Sequence, residues 1–574
     1  MKNSLFASLT GCIGFATALL LPKDVSLSKR SPSLQPRNTS CANTATSRGC
    51  WGDYSIDTNY YENFPDTGVT REYWLHAQNT TLAPDGVERL TLNFNGSIPG
   101  PLISADWGDT IIVHVTNGMT LNGTAIHWHG LRQLNNNEYD GVPGVTQCPI
   151  APGETMTYKF RATEYGSSWY HSHYTLQYGD GLFGPIIING PATADYDEDL
   201  GMLTLSDWGH QDVFSLWDAV QATAAPAVLE NGLINGTNTY GDGGSRYQTV
   251  FKPGKKYRIR IVNAAVEAHF RFSIDNHSLK VIANDFVPLV PYETDNIVIS
   301  MGQRYDMIVE AKTNRTTDNY WLRATWQSSC NLNQNPNNIL GIVRYNPSST
   351  ANPTTTINGN WTDNCGDEPY ESLVPHLSLN AGQNGNYSTL DLGAQFPPLL
   401  KWTINNSSLY LNWSDPTNLI IANGGSVFPT PYNVYAIPKP NAWVYWVLND
   451  LSNAPPAHPI HLHGHDAFVL AQGQGNYSPS TTVLKFDNPP RRDTATLPSG
   501  GFLVLGFKTD NPGSWLMHCH IAWHASEGLA LQFVERENEI EVEPAVKELL
   551  DGTCETWDKY SSANVIYQQV DSGI

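Results

Sequence analysis

Charge is scarce in this chain, and what there is leans negative. Only 15% of the 574 residues are charged, with 33 Lys and Arg against 54 Asp and Glu, for a formal net charge of −21. Such a surface repels nucleic acid and anionic membranes, which excludes phosphate-backbone binding as a function class. Long amphipathic patterns are also missing: no 3.6-residue apolar period dominates, which argues against a helical bundle. Cysteine is rare, at eight residues. Seven remain once Cys12 leaves with an N-terminal leader, an odd number, so one thiol is expected unpaired.

What is plentiful is Trp, Tyr, Gly and Pro, a composition that suits short strands joined by tight turns, and the first expectation is an all-β protein. A soft prior of about 150 residues per domain gives three or four domains. MKNSLFASLTGCIGFATALLLPKD has the layout of a secretory signal peptide over residues 1–21. Lys29-Arg30 then offers a dibasic site at which a propeptide, residues 22–30, is trimmed, so the mature chain begins near Ser31 and is secreted. The removed segment carries Lys2, Lys23, Lys29 and Arg30 against Asp24, a net +3, so −21 becomes −24. Sequons at Asn79, Asn95, Asn122, Asn235, Asn276, Asn360, Asn386 and Asn412 make it a candidate glycoprotein.

Short alternating runs such as DTIIVHVTN, YRIRIVN, YDMIVEAK and FLVLGFKTD read as strands at sandwich spacing. The run LPSGGFLVLGFKTDNPGSWLMHCHIAWH has an earlier echo in IAPGETMTYKFRATEYGSSWYHSHY, and FKPGKKYRIRIVNAA is the same unit without histidines. Three related sandwiches, with metal ligands on the first and third, account for this repetition. Loops near residues 190 and 370 divide the chain into 31–190, 191–370 and 371–574.

With 17 histidines, chance predicts about half an H-x-H pair, and the chain has five. They are His127/His129, His171/His173, His461/His463, His463/His465 and His518/His520. On a strand such a pair points both imidazoles one way and the middle residue the other. Two pairs from each of two sandwiches converge on one site, and eight imidazoles exceed what one ion takes, so a multinuclear centre is expected. Cys519, between His518 and His520, faces away from that cluster. With His524 and His458 it forms the His2Cys set of a blue copper electron-transfer site, and Leu529 stands where a weak axial Met would otherwise bind.

HWHG, WYHSHY, HPIHLHG and HCHIAWH together resemble the four copper motifs of the multicopper oxidases, and the chain looks like a fungal laccase of the ascomycete type. The resemblance implies three cupredoxin-like Greek-key β-sandwich domains and four copper ions. By it, His127 and His461 hold type 2 copper. His129, His171, His173, His463, His518 and His520 hold the type 3 pair, and Cys519, His458 and His524 hold type 1. It implies phenolic small molecules and O2 as partners, with one-electron oxidations at type 1 coupled through Cys519 to four-electron reduction of O2 to water. Lignin fragments, pigment precursors and plant defence phenols are all compatible substrates. It also implies the disulfides Cys41–Cys50, Cys148–Cys554 and Cys330–Cys365; a monomer is expected. Glu267 matches an acidic residue of the phenol pocket and Asp140 one near the trinuclear cluster. The tail Asp571, Ser572, Gly573, Ile574 resembles a C-terminal plug of the channel to the cluster. His76, His114, His210, His269, His277, His376 and His465 match no ligand motif. A ferroxidase, an ascorbate oxidase and a copper-binding protein without turnover remain the rivals.

Overall fold

Alternation decides most of the architecture. In Thr110–Asn117 every second residue is buried, and in Lys256–Asn263 nearly every residue is, because that strand lies inside the molecule on both faces. The computed structural model describes residues 41–357, 359, 361–452, 456–564 and 569–574, which fall into one compact unit. The signal peptide and propeptide expected at 1–30 and the sequon at Asn360 lie outside the described residues.

The fold is all-β, a succession of cupredoxin-like Greek-key sandwiches. Two four-stranded sheets come first; one runs Arg89–Phe94, Thr70–Leu82, Thr110–Asn117, Thr155–Arg161, the other Ile103–Asp106, Phe183–Asn189, Gly166–Ser172, Ile126–His129. A six-stranded and a five-stranded sheet follow, built from strands between Glu198 and Arg344, and the same six-plus-five arrangement recurs between Asn386 and Glu535. The largest buried cluster is continuous from Trp169 to Phe533, so the later sandwiches share their apolar interior.

Among the described residues, two helices longer than two turns depart from the strand pattern. Val213–Thr223 is capped by the Asp212 carboxylate, which accepts from Ser215 N–H at 2.9 Å. Pro544–Ala563 buries Leu550, Cys554 and Trp557 against the first sandwich, although it follows the last one in sequence. Its staple is Cys148–Cys554; Cys41–Cys50 and Cys330–Cys365 are the other two disulfides, and Cys519 is free and buried. Among the described residues no helix is long and apolar enough to cross a membrane.

Candidate metal centre

Strand register builds the site. Ile126–His129 pairs antiparallel with Gly166–Ser172, setting His127 opposite His171 and His129 opposite Trp169. In the last sandwich His458–Leu462 pairs with Gly513–Cys519, setting His461 opposite His518 and Ile460 opposite Cys519. Period-two alternation therefore sends His461 and His518 to one face, and His458 and Cys519 to the other.

The eight imidazoles of the first face meet as three sets: His127, His129, His461; His129, His171, His520; and His173, His463, His518. Within each set the donor atoms lie within 4.8 Å of one another. The second-face trio is His458, Cys519 and His524. Its two Nδ1 atoms are 3.1 Å apart, and Sγ lies 3.7 Å from His458 Nδ1 and 3.6 Å from His524 Nδ1. All eleven expected ligand residues thus fall into these two adjoining groups. Leu529 is buried beside the trio, its carbonyl accepting from Cys519 N–H at 3.0 Å.

The outer shell fixes which nitrogen is free. His127 Nδ1–H donates to the Asp140 carbonyl at 2.8 Å, His461 Nδ1–H to the Asp493 carbonyl at 3.0 Å, and His463 Nδ1–H to Asp140 Oδ2 at 2.8 Å. His171 and His518 donate from Nδ1 to the carbonyls of Ser172 and Cys519. His129 is reversed: its Nε2–H faces Asp493 Oδ1 at 3.2 Å and its Nδ1 has no partner. The Nε2 atoms of His171, His463 and His518 are buried without partners, as are both ring nitrogens of His173 and His520. Unpaired lone pairs at this depth are costly unless a ligand takes them.

Burial first, then mutual repulsion, holds His129, His171, His173, His461, His463 and His520 well below the usual histidine range. Burial also takes His458 and His518 down to about 4. Neutral imidazole is the metal-binding form. Burial pushes the Cys519 thiol up, so the metal-free thiol keeps its proton and gives it up on metal binding. Converging neutral nitrogens beside one thiolate form a donor set suited to copper.

Beside the trio lies a cavity of about 140 Å³, close to the roughly 150 Å³ that encloses a benzene ring. Its lining includes His524, Trp523, Trp402, Leu400, Val220 and Pro226. Glu267 lines it on a loop clamped by Asp207, whose carboxylate accepts from the N–H groups of Val266, Glu267 and Ala268 at 2.9, 2.9 and 3.2 Å. Its Oε2 accepts from Trp523 Nε1–H at 2.8 Å, and burial together with the Asp207 carboxylate raises its pKa well above the usual range.

The tail is ordered by its own bonds. Ser572 donates from N–H to the Ser526 carbonyl and from Oγ to the Ala525 carbonyl, while the Gly573 carbonyl accepts from Trp413 Nε1–H. Asp571, Ser572 and Ile574 are buried. Ile574 lines a cleft with His171, His173, His518 and His520.

Multicopper oxidase family models match residues 76–193, 199–348 and 399–539. Laccase-1 of Botryotinia fuckeliana is 56% identical over 579 residues, with 100% of both chains covered. The chain belongs to the multicopper oxidase family. Laccase-2 of the same fungus is 52% identical, again over the whole of both chains. Among solved structures, the laccase from Botrytis aclada superposes with a TM-score of 0.90 at 53% identity, covering 93% of this chain and 100% of that one. Fet3p, a multicopper oxidase that functions in iron import, gives 0.76 at 27% identity, covering 84% and 95%. As in other multicopper oxidases, the copper complement is four ions: one type 1, one type 2 and two type 3.

Sequence reasoning passed over three participants. Asp493 meets His129 and His461 and is paired with Arg304 at 2.6 Å. Trp402 packs on His458 and His524, with ring centroids 4.8 and 4.4 Å apart. Glu527 lines the same cavity as Glu267. Of the seven histidines outside the ligand motifs, His114, His210, His376 and His465 pair with carboxylates and His277 with Tyr345. His76 is exposed, and His269 is buried.

Proposed function

We propose that this chain is a laccase in which the trio Cys519, His458 and His524 holds type 1 copper, and His127 with His461 holds type 2. The sets His129, His171, His520 and His173, His463, His518 hold the type 3 pair. Bound copper supplies the redox chemistry, taking single electrons from a phenol at type 1 and delivering four to O2, which becomes two waters, at the three-ion cluster.

The residues supply everything else. Cys519 is bonded through the backbone to His518 and His520, so the covalent chain itself links the two centres. Leu529 is buried and offers no donor atom, so His458, Cys519 and His524 alone would hold type 1 copper. Glu267, with one oxygen tethered by Trp523 and the other unpaired, accepts the phenolic proton as the electron leaves, which avoids a radical cation. Asp140 touches His463 and His127 at once and is placed to pass protons toward reduced oxygen. The tail closes the cleft beside the type 3 histidines. The observation carrying this reading is the one-ring cavity with a carboxyl beside the His2Cys trio, one peptide link from the histidine cluster.

Around this machinery we place three cupredoxin domains with boundaries near 190 and 370. The protein is secreted and monomeric, with N-glycans at exposed sequons such as Asn79, Asn95, Asn386 and Asn412. The test is oxygen uptake by purified, copper-loaded protein with a methoxyphenol, Fe(II) and ascorbate in parallel. Preference for the phenol by a blue protein is expected; preference for Fe(II) makes it a ferroxidase.

A further inference from the structure

Glu527 is fully buried, three residues after His524, at the end of the short helix Ala522–Ser526. Its environment repeats that of Glu267, which lines the same cavity. Glu267 has Oε2 tethered by the Trp523 indole at 2.8 Å and Oε1 buried with no partner; Glu527 has Oε2 tethered by the Trp402 indole at 3.1 Å and Oε1 buried with no partner. Both carboxyls line the cavity together with His524. Leaving two buried carboxyl oxygens unpaired costs free energy that a bound molecule recovers by hydrogen bonding to both.

We propose that Glu527 is a second substrate-contacting carboxyl, the residue that holds the second ring hydroxyl of a dihydric phenol while Glu267 takes the proton of the first. One hydroxyl gives up its proton at Glu267, and the other donates to Glu527 Oε1. Carrying the second hydroxyl as a methyl ether removes that donor. The tether matters as well, since Trp402 packs against both type 1 histidines and so fixes the Glu527 carboxyl relative to the electron acceptor. Burial lifts the Glu527 pKa to about 8, against smaller opposing pulls from the Trp402 indole and Lys401. With the indole on Oε2, the ionised Oε1 is an acceptor only, which a hydroxyl donor satisfies and an ether oxygen does not.

This inference rests on the cavity being the phenol site, and the test separates the two. Steady-state kinetics on copper-loaded protein compare hydroquinone with its monomethyl ether, in the unchanged protein, Glu527→Gln and Glu267→Gln. A glutamine at 527 keeps an oxygen for the Trp402 indole but turns an N–H toward the cavity. The hydroquinone-to-ether ratio of kcat/KM is expected to fall about tenfold in Glu527→Gln, mainly through KM for hydroquinone, with the blue absorption band and type 1 potential unchanged. In Glu267→Gln both substrates slow together. If Glu267→Gln slows both while Glu527→Gln leaves the ratio unchanged, or shifts it only together with the blue band, the second contact is wrong. If Glu267→Gln affects neither, the cavity is not the phenol site and the inference falls with it.

Discussion

Glu267→Ala isolates the carboxyl proposed to accept the phenolic proton. The change removes the acceptor of the Trp523 indole N–H, which is buried, so stability should drop by about 1–3 kcal/mol, the cost of an unsatisfied buried donor. Glu267→Gln keeps an oxygen for the indole and should drop less. Activity separates differently: general-base assistance contributes roughly 10²- to 10⁴-fold, so both variants should lose at least about a hundredfold in kcat/KM on a phenol. An electron donor with no proton to lose, such as ferrocyanide, should be oxidised as before. The pH profile adds a sign. With its pKa raised well above the usual range, the carboxyl is protonated in acid, so the phenol rate carried by Glu267 rises with pH and that rise is absent in Glu267→Gln. Equal losses on phenol and ferrocyanide would show instead that the substitution damages the type 1 site, and the proton-acceptor role would fail.

Three further outcomes are expected. Cys519→Ser should abolish the blue band and phenol oxidation and lower the copper content from four ions toward three, as read by elemental analysis and electron paramagnetic resonance. Deleting Asp571–Ile574 removes the Ser572 and Gly573 bonds to Ser526, Ala525 and Trp413 and about 2 kcal/mol of Ile574 burial; the melting temperature and the rate of O2 reduction should fall while the blue band persists. Glu527 rises from 4.5 to about 8 on folding. The folded state therefore holds a proton that the unfolded chain has lost across that window, and stability falls as pH rises from about 4.5 to about 8. Glu527→Gln should flatten this part of the Tm-against-pH curve; an unchanged slope removes Glu527 as its cause.

The clustering of the eleven candidate ligand residues was legible because two signals coincide in it. H-x-H spacing on strands forces same-face imidazoles, and Cys519 between His518 and His520 must then face away. The register of His461 with His518 and Ile460 with Cys519 is the same statement in three dimensions. Glu527 was not legible: beside His524 it reads as an ordinary charged residue at a helix end, and the indole that tethers it is 125 residues away. Asp493 was hidden in RRDTAT for the same reason, since its partners His129 and Arg304 come from distant strands. Helix Pro544–Ala563 was overlooked because its apolar positions Val546, Leu549, Leu550 and Trp557 are spread among charges, in a chain whose other apolar patterns have period two. It packs on the first sandwich, which a reading by chain order assigns to the last.

The most direct measurement is the ratio of phenol oxidised to O2 consumed by the copper-loaded protein, taken with an oxygen electrode and a peroxide assay. Two centres joined through Cys519 predict four one-electron oxidations per O2, with no peroxide released. Two per O2 with peroxide accumulating, or a blue protein that consumes no oxygen, would contradict the coupling of the His2Cys trio to the histidine cluster.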